Sequence, residues 1–228
     1  MNTRRMLMIA GALLFVSVAP LASAAERAAR LQPFSVLELD LPARYVIRES
    51  GVAAARMRGP SEVIDRIMLE QHDDRVRVYV PGSIAIQEPL VIEIDTVGLQ
   101  ELTVAGAGEV HGHGFTGSDF TLHSLGAAAV RVTGLDVDKL RVEMQGSGSI
   151  ELAGRASDER ARIAGSGQYR AADLGADKAD LKLEGAGSAE VMAHEKLRVH
   201  ISGSGSVRYR GEPKLSTSID GSGTVERM

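Results

Sequence analysis

Seven glycine-led triplets are the first residues in this chain whose type suggests chemistry: Gly106-Ala-Gly108, Gly126-Ala-Ala128, Gly146-Ser-Gly148, Gly165-Ser-Gly167, Gly185-Ala-Gly187, Gly203-Ser-Gly205 and Gly221-Ser-Gly223. Glycine loops bind phosphate when their backbone N–H groups converge on an anion. A P-loop, however, needs G-x-x-x-x-G-K-[ST], and a dinucleotide site needs G-x-G-x-x-G opening a helix. No triplet here is followed by Lys-Ser or Lys-Thr, and each is flanked by strand-like alternation, so no phosphate cradle is expected. Metal chemistry fares no better. His111 and His113 supply only two ligands, and His123 and His200, which share a repeat position, sit four units apart, roughly 19 Å at strand spacing. Asp136 and Asp138, Asp158 and Glu159, and Asp177 and Asp180 form an acidic corner with enough oxygens for Ca²⁺. Lys139, Arg155 and Lys178 are interleaved among them, so a solvated corner is expected, with no metal and no cofactor. Polysaccharide lyases and hydrolases built on β-helices place acid and base groups in a cleft walled by long insertions. The spacing here varies too little to leave room for such a wall, and no Ser-His-Asp arrangement is suggested. No catalytic residue is expected, and a carbohydrate-active β-helix enzyme stands as the alternative.

The elements that carry these residues emerge from the spacing of the first glycines, which is 20, 20, 19, 20, 18 and 18 residues. A flexible tether has no reason to recur at a fixed period, whereas a solenoid must. Four residues before each glycine stand Leu102, Leu122, Val142, Ala161, Leu181, Val199 and Thr217; two before stand Val104, Ser124, Met144, Ile163, Leu183, Ile201 and Ile219. The position between them is polar throughout: Thr103, His123, Glu143, Arg162, Lys182, His200 and Ser218. Period-two alternation marks a strand with one buried face. It resumes beyond each turn at Val110, Val130, Ile150, Tyr169, Ala189, Val207 and Val225. A unit this short cannot bury its apolar face alone, so the units must stack coil on coil. The fold class expected is an all-β, single-domain parallel β-solenoid, right-handed by the general preference of parallel crossovers. Glycine suits the corners because stacked turns need backbone angles and clearances that a Cβ opposes.

One outward position reads His111, Arg131, Glu151, Arg170, Glu190, Arg208 and Glu226, alternating in sign from Arg131 onward. Opposite charges across paired strands contribute roughly 0.2–1 kcal/mol each, and like charges are unfavourable there. The expectation is a charge ladder that sets coil register.

The ends are less regular. Residues 1–24 (Arg4 and Arg5, an apolar run from Met6 to Leu21, then Ala22-Ser23-Ala24) read as a secretory signal peptide cleaved after Ala24. Residues 25–33 read as a flexible leader and 34–228 as the solenoid. Within it, 34–99 would form irregular N-terminal coils that cap the stack, and 100–228 the seven repeats. Ser61 in "GPSEVIDRIML" offers an N-cap for a short helical turn, with a strand lead-in as the alternative. Nothing in the sequence after the last turn would cover the final coil, which suggests self-association through that end. The chain has no cysteine, hence neither disulfides nor a lipid-attachment site, and export to the periplasm or cell surface is expected. With the signal peptide removed, the formal charge moves from −4 to −6, since residues 1–24 hold two arginines and no acid. An acidic chain with no Trp and eight Phe and Tyr is not a nucleic-acid binder.

With the repeats aligned, "LRVHISGSGSVRYRGEPKLSTSIDGSGTVERM" resembles the C-terminal signature of the family named Putative auto-transporter adhesin, head GIN domain, and "LQELTVAGAGEV" resembles the start of its repeats. The resemblance runs from about Phe34 to Met228, and Ala128 is the one departure from the glycine pattern. It implies an exported bacterial β-solenoid with an adhesive role and offers no catalytic residues to carry over. The reading expected of such a chain is an adhesive or scaffold module, with a surface glycan or envelope protein as the ligand class.

Overall fold

A computed structural model describes residues 24–82 and 89–228. Of the described residues 75% are strand and 2% helix, wound as stacked coils of a single all-β solenoid. Its regular part starts at β8 (Glu101–Gly106) and β9 (Glu109–His113) and continues through β10 (Thr116–Gly126), β11 (Ala129–Gly146), β12 (Ser149–Gly165), β13 (Gln168–Gly185), β14 (Ser188–Gly203), β15 (Ser206–Arg210), β16 (Lys214–Gly221) and β17 (Thr224–Arg227). All neighbouring pairs in this part are parallel. Gly106, Gly126, Gly146, Gly165, Gly185, Gly203 and Gly221 lie on top of one another. Each triplet joins two sheet faces: an entry face, leading into the turn, and an exit face, leaving it.

The corners are hydrogen-bonded at every coil. Ser147 N–H donates to Gly126 O at 3.0 Å and Ser149 N–H to Ala128 O at 2.9 Å, and equivalent bonds recur down to Ser222 and Thr224. The two glycines of a triplet answer different constraints. Gly146 has φ +125°, and a Cβ there would sit 2.2 Å from Gly126 O; Gly148 has no unusual φ, but its Cβ would meet Ala128 O at 2.4 Å. The first glycine is therefore required by both dihedral and space, the third by space alone.

Inside, stacked columns such as Leu102, Leu122, Val142, Ala161, Leu181 and Val199 are almost fully buried. Tyr169 is the largest side chain of its column and lies directly above Ala189, so that a small neighbour makes room for a large one.

The N-terminal third does not stack in chain order. β2 (Val36–Asp40) and β3 (Arg44–Glu49) pair in parallel with β8 and β9 on one side. On the other side they pair with β6 (Arg75–Tyr79) and β7 (Val91–Thr96), so the coil nearest the N-terminus lies between two later ones. Antiparallel strands close this end: β5 (Met68–His72) on β6, β4 (Ala54–Pro60) on β7, and β1 (Ala24–Arg30) on β4. Switching to antiparallel pairing ends the parallel stack and covers its open edge. Helix α1 (Ser61–Ile64) buries Val63 and Ile64 beneath this cap.

Two expectations are corrected here. Residues 25–33 are no flexible leader, because Ala24–Arg30 pairs along its whole length with β4, and alternate side chains face inward. Ser61 is the first helical residue rather than the N-cap; Pro60 holds that position with no side-chain cap bond. The signal-peptide reading of residues 1–24 lies outside the described residues except for Ala24.

Candidate functional site

The residues singled out by chemistry are distributed over the two faces. On the exit face, the register sets Arg131 between His111 and Glu151, then Glu151, Arg170, Glu190, Arg208 and Glu226 each beside the next. Arg131 meets Glu151 at 2.7 Å, and Arg208 pairs with Glu190. Arg170 turns instead to Gln168 in its own strand. The pattern reaches the cap, where His111 meets Glu109 at 2.8 Å, Arg44 meets Glu109 at 3.7 Å, and Arg56 meets Glu93 at 3.3 Å. The hydrogen bond from His111 holds the Glu109 carboxyl below the usual range. A shallow groove of about 320 Å³ runs over Glu109, His111, Arg131, Glu151 and Arg170, floored by the small Ala129 and Ser149. Its charges alternate in sign along the stack and largely satisfy one another.

The entry face is built differently. Three outward columns run down the stack: Asp119, Lys139, Asp158, Lys178, Lys196, Lys214; Thr121, Arg141, Arg160, Asp180, Arg198, Ser216; and His123, Glu143, Arg162, Lys182, His200, Ser218. Like charges fall side by side at Arg141–Arg160, Arg162–Lys182, Lys178–Lys196 and Lys196–Lys214. Some of these cations are paired. Glu184 bridges Lys182 at 2.8 Å and Arg162 at 2.9 Å, which holds its carboxyl down to about 2. Arg160 meets Asp158 at 3.2 Å and Arg198 meets Asp180 at 3.7 Å. Among the described residues, Arg141, Lys178, Lys196 and Lys214 have neither an ion pair nor a side-chain hydrogen bond. A groove of about 330 Å³ separates the Arg141–Arg160 pair from the Arg162–Lys182 pair.

The acidic corner does not assemble. Asp136 is held by Arg155 at 3.2 Å, Asp158 lies between Lys139 and Lys178, and Asp180 between Arg160 and Arg198. Asp138 and Asp177 are exposed. No group of three metal-ligating side chains occurs among the described residues, the histidines included. Glu159, expected in solvent with this corner, is fully buried. Tyr169 Oη donates to its Oε1 at 2.6 Å while Oε2 has no partner. Desolvation pushes the Glu159 carboxyl up to about 7, against the opposing effect of the Tyr169 hydrogen bond, and burial raises the Tyr169 hydroxyl as well. The signal for this burial lay six residues before each glycine, where the column reads Phe120, Leu140, Glu159, Ala179, Leu197 and Leu215.

A stack of plain coils carrying flat, charged faces is the context in which the comparisons with known proteins apply. The family model Putative auto-transporter adhesin, head GIN domain, matches residues 33–213. This chain belongs to that family. Among solved structures, a Bacteroides fragilis protein described as a putative adhesin superposes with TM-score 0.85 at 22% identity, covering 92% of this chain and 99% of that one. A putative lipid binding protein from Parabacteroides distasonis gives 0.73 at 20% identity, with coverage of 90% and 96%. A putative adhesin from Parabacteroides merdae gives 0.69 at 19%, again covering 90% and 96%. At these identities the likeness shows the fold alone, shared along nearly the whole length. The comparison with curated proteins found no match. No helix among the described residues of this head GIN chain is long and apolar enough to cross a membrane.

Proposed function

We propose that this head GIN chain is an exported, non-enzymatic binding module of the bacterial cell envelope, which uses a solenoid face as an adhesive or scaffolding surface. The observation that supports this most directly is the geometry of the coils. Every described repeat turns through the same hydrogen-bonded corner, and the grooves on both faces are open and lined by charged side chains. A rigid, extended, solvent-facing sheet suits multipoint contact with a long ligand better than it suits enclosure of a reacting bond. Family membership and the adhesin descriptions of two structural neighbours point the same way. The neighbour described as a lipid-binding protein raises lipid as another ligand, but the charge-lined grooves here offer no apolar slot for an acyl chain.

The test is retention of the purified protein on an array of envelope glycans, with product analysis of each retained ligand. Retention without turnover supports the proposal. Cleavage of the ligand, or retention of nothing, overturns it. A second reading, self-association through the final coil, draws on Leu215 and Ile219, each 40% exposed although their columns are buried in the coils above. Light scattering across a concentration series checks it: a constant monomer mass removes this reading.

A further inference from the structure

We infer that the entry face of coils 139–220 is a docking surface for a linear acidic polysaccharide lying along the solenoid axis; this rests on the adhesive reading above and names its ligand class. On the outward strand positions of these coils stand nine basic residues (Lys139, Arg141, Arg160, Arg162, Lys178, Lys182, Lys196, Arg198 and Lys214) against seven acidic ones (Glu143, Asp158, Asp177, Asp180, Glu184, Glu195 and Asp220). That local excess of two positive charges sits on a chain whose formal charge is −4. The excess is also badly placed for stability. Like charges directly opposite on paired strands are destabilising, and the other face of the same coils shows that this register accommodates strict alternation. Four of the cations make no ion pair within the chain, and three of these, Lys178, Lys196 and Lys214, form one column running along the axis. An unbranched chain of carboxylates laid down that column would supply the missing counter-charges coil by coil, at the roughly 4.8 Å repeat of the stack. Ser216 and Ser218 follow Lys214 on the same face of β16 and add hydroxyls suited to the neutral oxygens of a sugar chain.

Other polyanions fit less well. Attachment to an anionic membrane surface generally pairs cations with apolar side chains that enter the headgroup layer, and the outward positions of these coils carry no large hydrophobic residue. Single-stranded nucleic acid needs aromatic stacking platforms; Tyr169 and Tyr209 both occupy core-facing columns of the exit face.

The experiment measures binding of the full chain to immobilised polygalacturonate, with neutral dextran and phosphatidylglycerol vesicles as comparison surfaces. Polygalacturonate is expected to bind and to be released by salt, since each contact displaces a counterion. Lys178→Gln, Lys196→Gln and Lys214→Gln together are expected to weaken binding roughly 10-fold or more at low salt. Arg131→Gln, Arg170→Gln and Arg208→Gln remove the same charge from the opposite face and are expected to change it less than about two-fold, being screened at that distance. Circular dichroism confirms that both triple variants are folded. Equal losses in the two variants would mean that only net charge matters and would overturn the inference. So would tighter capture by vesicles than by polygalacturonate. Retention of neutral glycans on the array with no affinity for polygalacturonate overturns this inference alone, whereas retention of no glycan overturns the adhesive reading itself.

Discussion

The two faces of this solenoid share coils, register and corners, yet they use charge in opposite ways. On the exit face one charged column alternates in sign from Arg131 to Glu226, flanked by Ser149, Gln168, Ser188, Ser206 and Thr224. On the entry face three charged columns lie side by side, and lysines and arginines stack on their own kind. Since backbone and spacing are common to both, the difference cannot come from the fold. Alternation is what coil register and stability favour; stacked like charge is tolerated because the corners and core already hold the coils together. A stable core thus leaves one surface free to carry a charge pattern that stability alone would disfavour.

The largest expected effect tests that premise. Gly146→Val places a β-branched side chain at φ +125° with its Cβ 2.2 Å from the Gly126 carbonyl. A loss of about 4 kcal/mol is expected, combining backbone strain with overpacking. Both faces should fail together in urea denaturation, because the corner joins them. A loss under about 1 kcal/mol, the scale of a single cross-strand charge pair, would show that the charges rather than the corners hold the stack.

The next effect comes from behind the entry face. Glu159 has its folded-state value raised to about 7 by burial. The folded protein therefore holds this proton more tightly than the unfolded chain does. Its contribution is fully present below the ordinary glutamate range and is lost as pH rises toward and through about 7. The corresponding loss of stability is about 3 kcal/mol between the two limits. Glu159→Gln removes the titration, so the difference in urea midpoint between parent and variant should shift steadily in the variant's favour from pH 4.5 to pH 8. A pH-independent difference would mean that Glu159 reaches water when charged.

How much of this was legible in the sequence follows from what repeats. The corner, the core columns and the coil-to-coil register are written several times over, so a substitution such as Ala128 does not obscure them. Gly106 aligns with Gly126 because both face the same constraint. Events that happen once leave no such trace. The insertion of β2 and β3 between the 75–96 coil and the repeats depends on long-range pairing that no local pattern encodes. The strand at Ala24–Arg30, in "AAERAAR", has the composition of a helix or a solvated segment and is extended only because β4 offers an edge. Glu159 was assigned to solvent from its neighbour Asp158, whereas its column, with leucines at 140 and 197, faces the core. Of the entry face, only the column through His123, Glu143, Arg162 and Lys182 stands out as polar in the sequence, and the lysine run at 178, 196 and 214 becomes visible only once the register sets those residues on one another.

The smallest effects discriminate best between the faces, because one chemical change should act in opposite directions. Lys196→Glu puts an acid between Lys178 and Lys214 and turns a like-charged run into an alternating one; it is expected to raise stability by about 0.5 kcal/mol. Arg170→Glu does the reverse, leaving glutamates at 151, 170 and 190 in succession, and should lower stability by about 0.5–1 kcal/mol. Both substitutions change net charge equally, so a general electrostatic effect of an acidic chain would move them together. Differential scanning calorimetry at low salt should show the two melting temperatures parting in opposite directions and converging as salt screens the pairs. If Lys196→Glu were instead destabilising, the lysine column would hold a structural role of its own, and its like-charge stacking would no longer argue for a ligand.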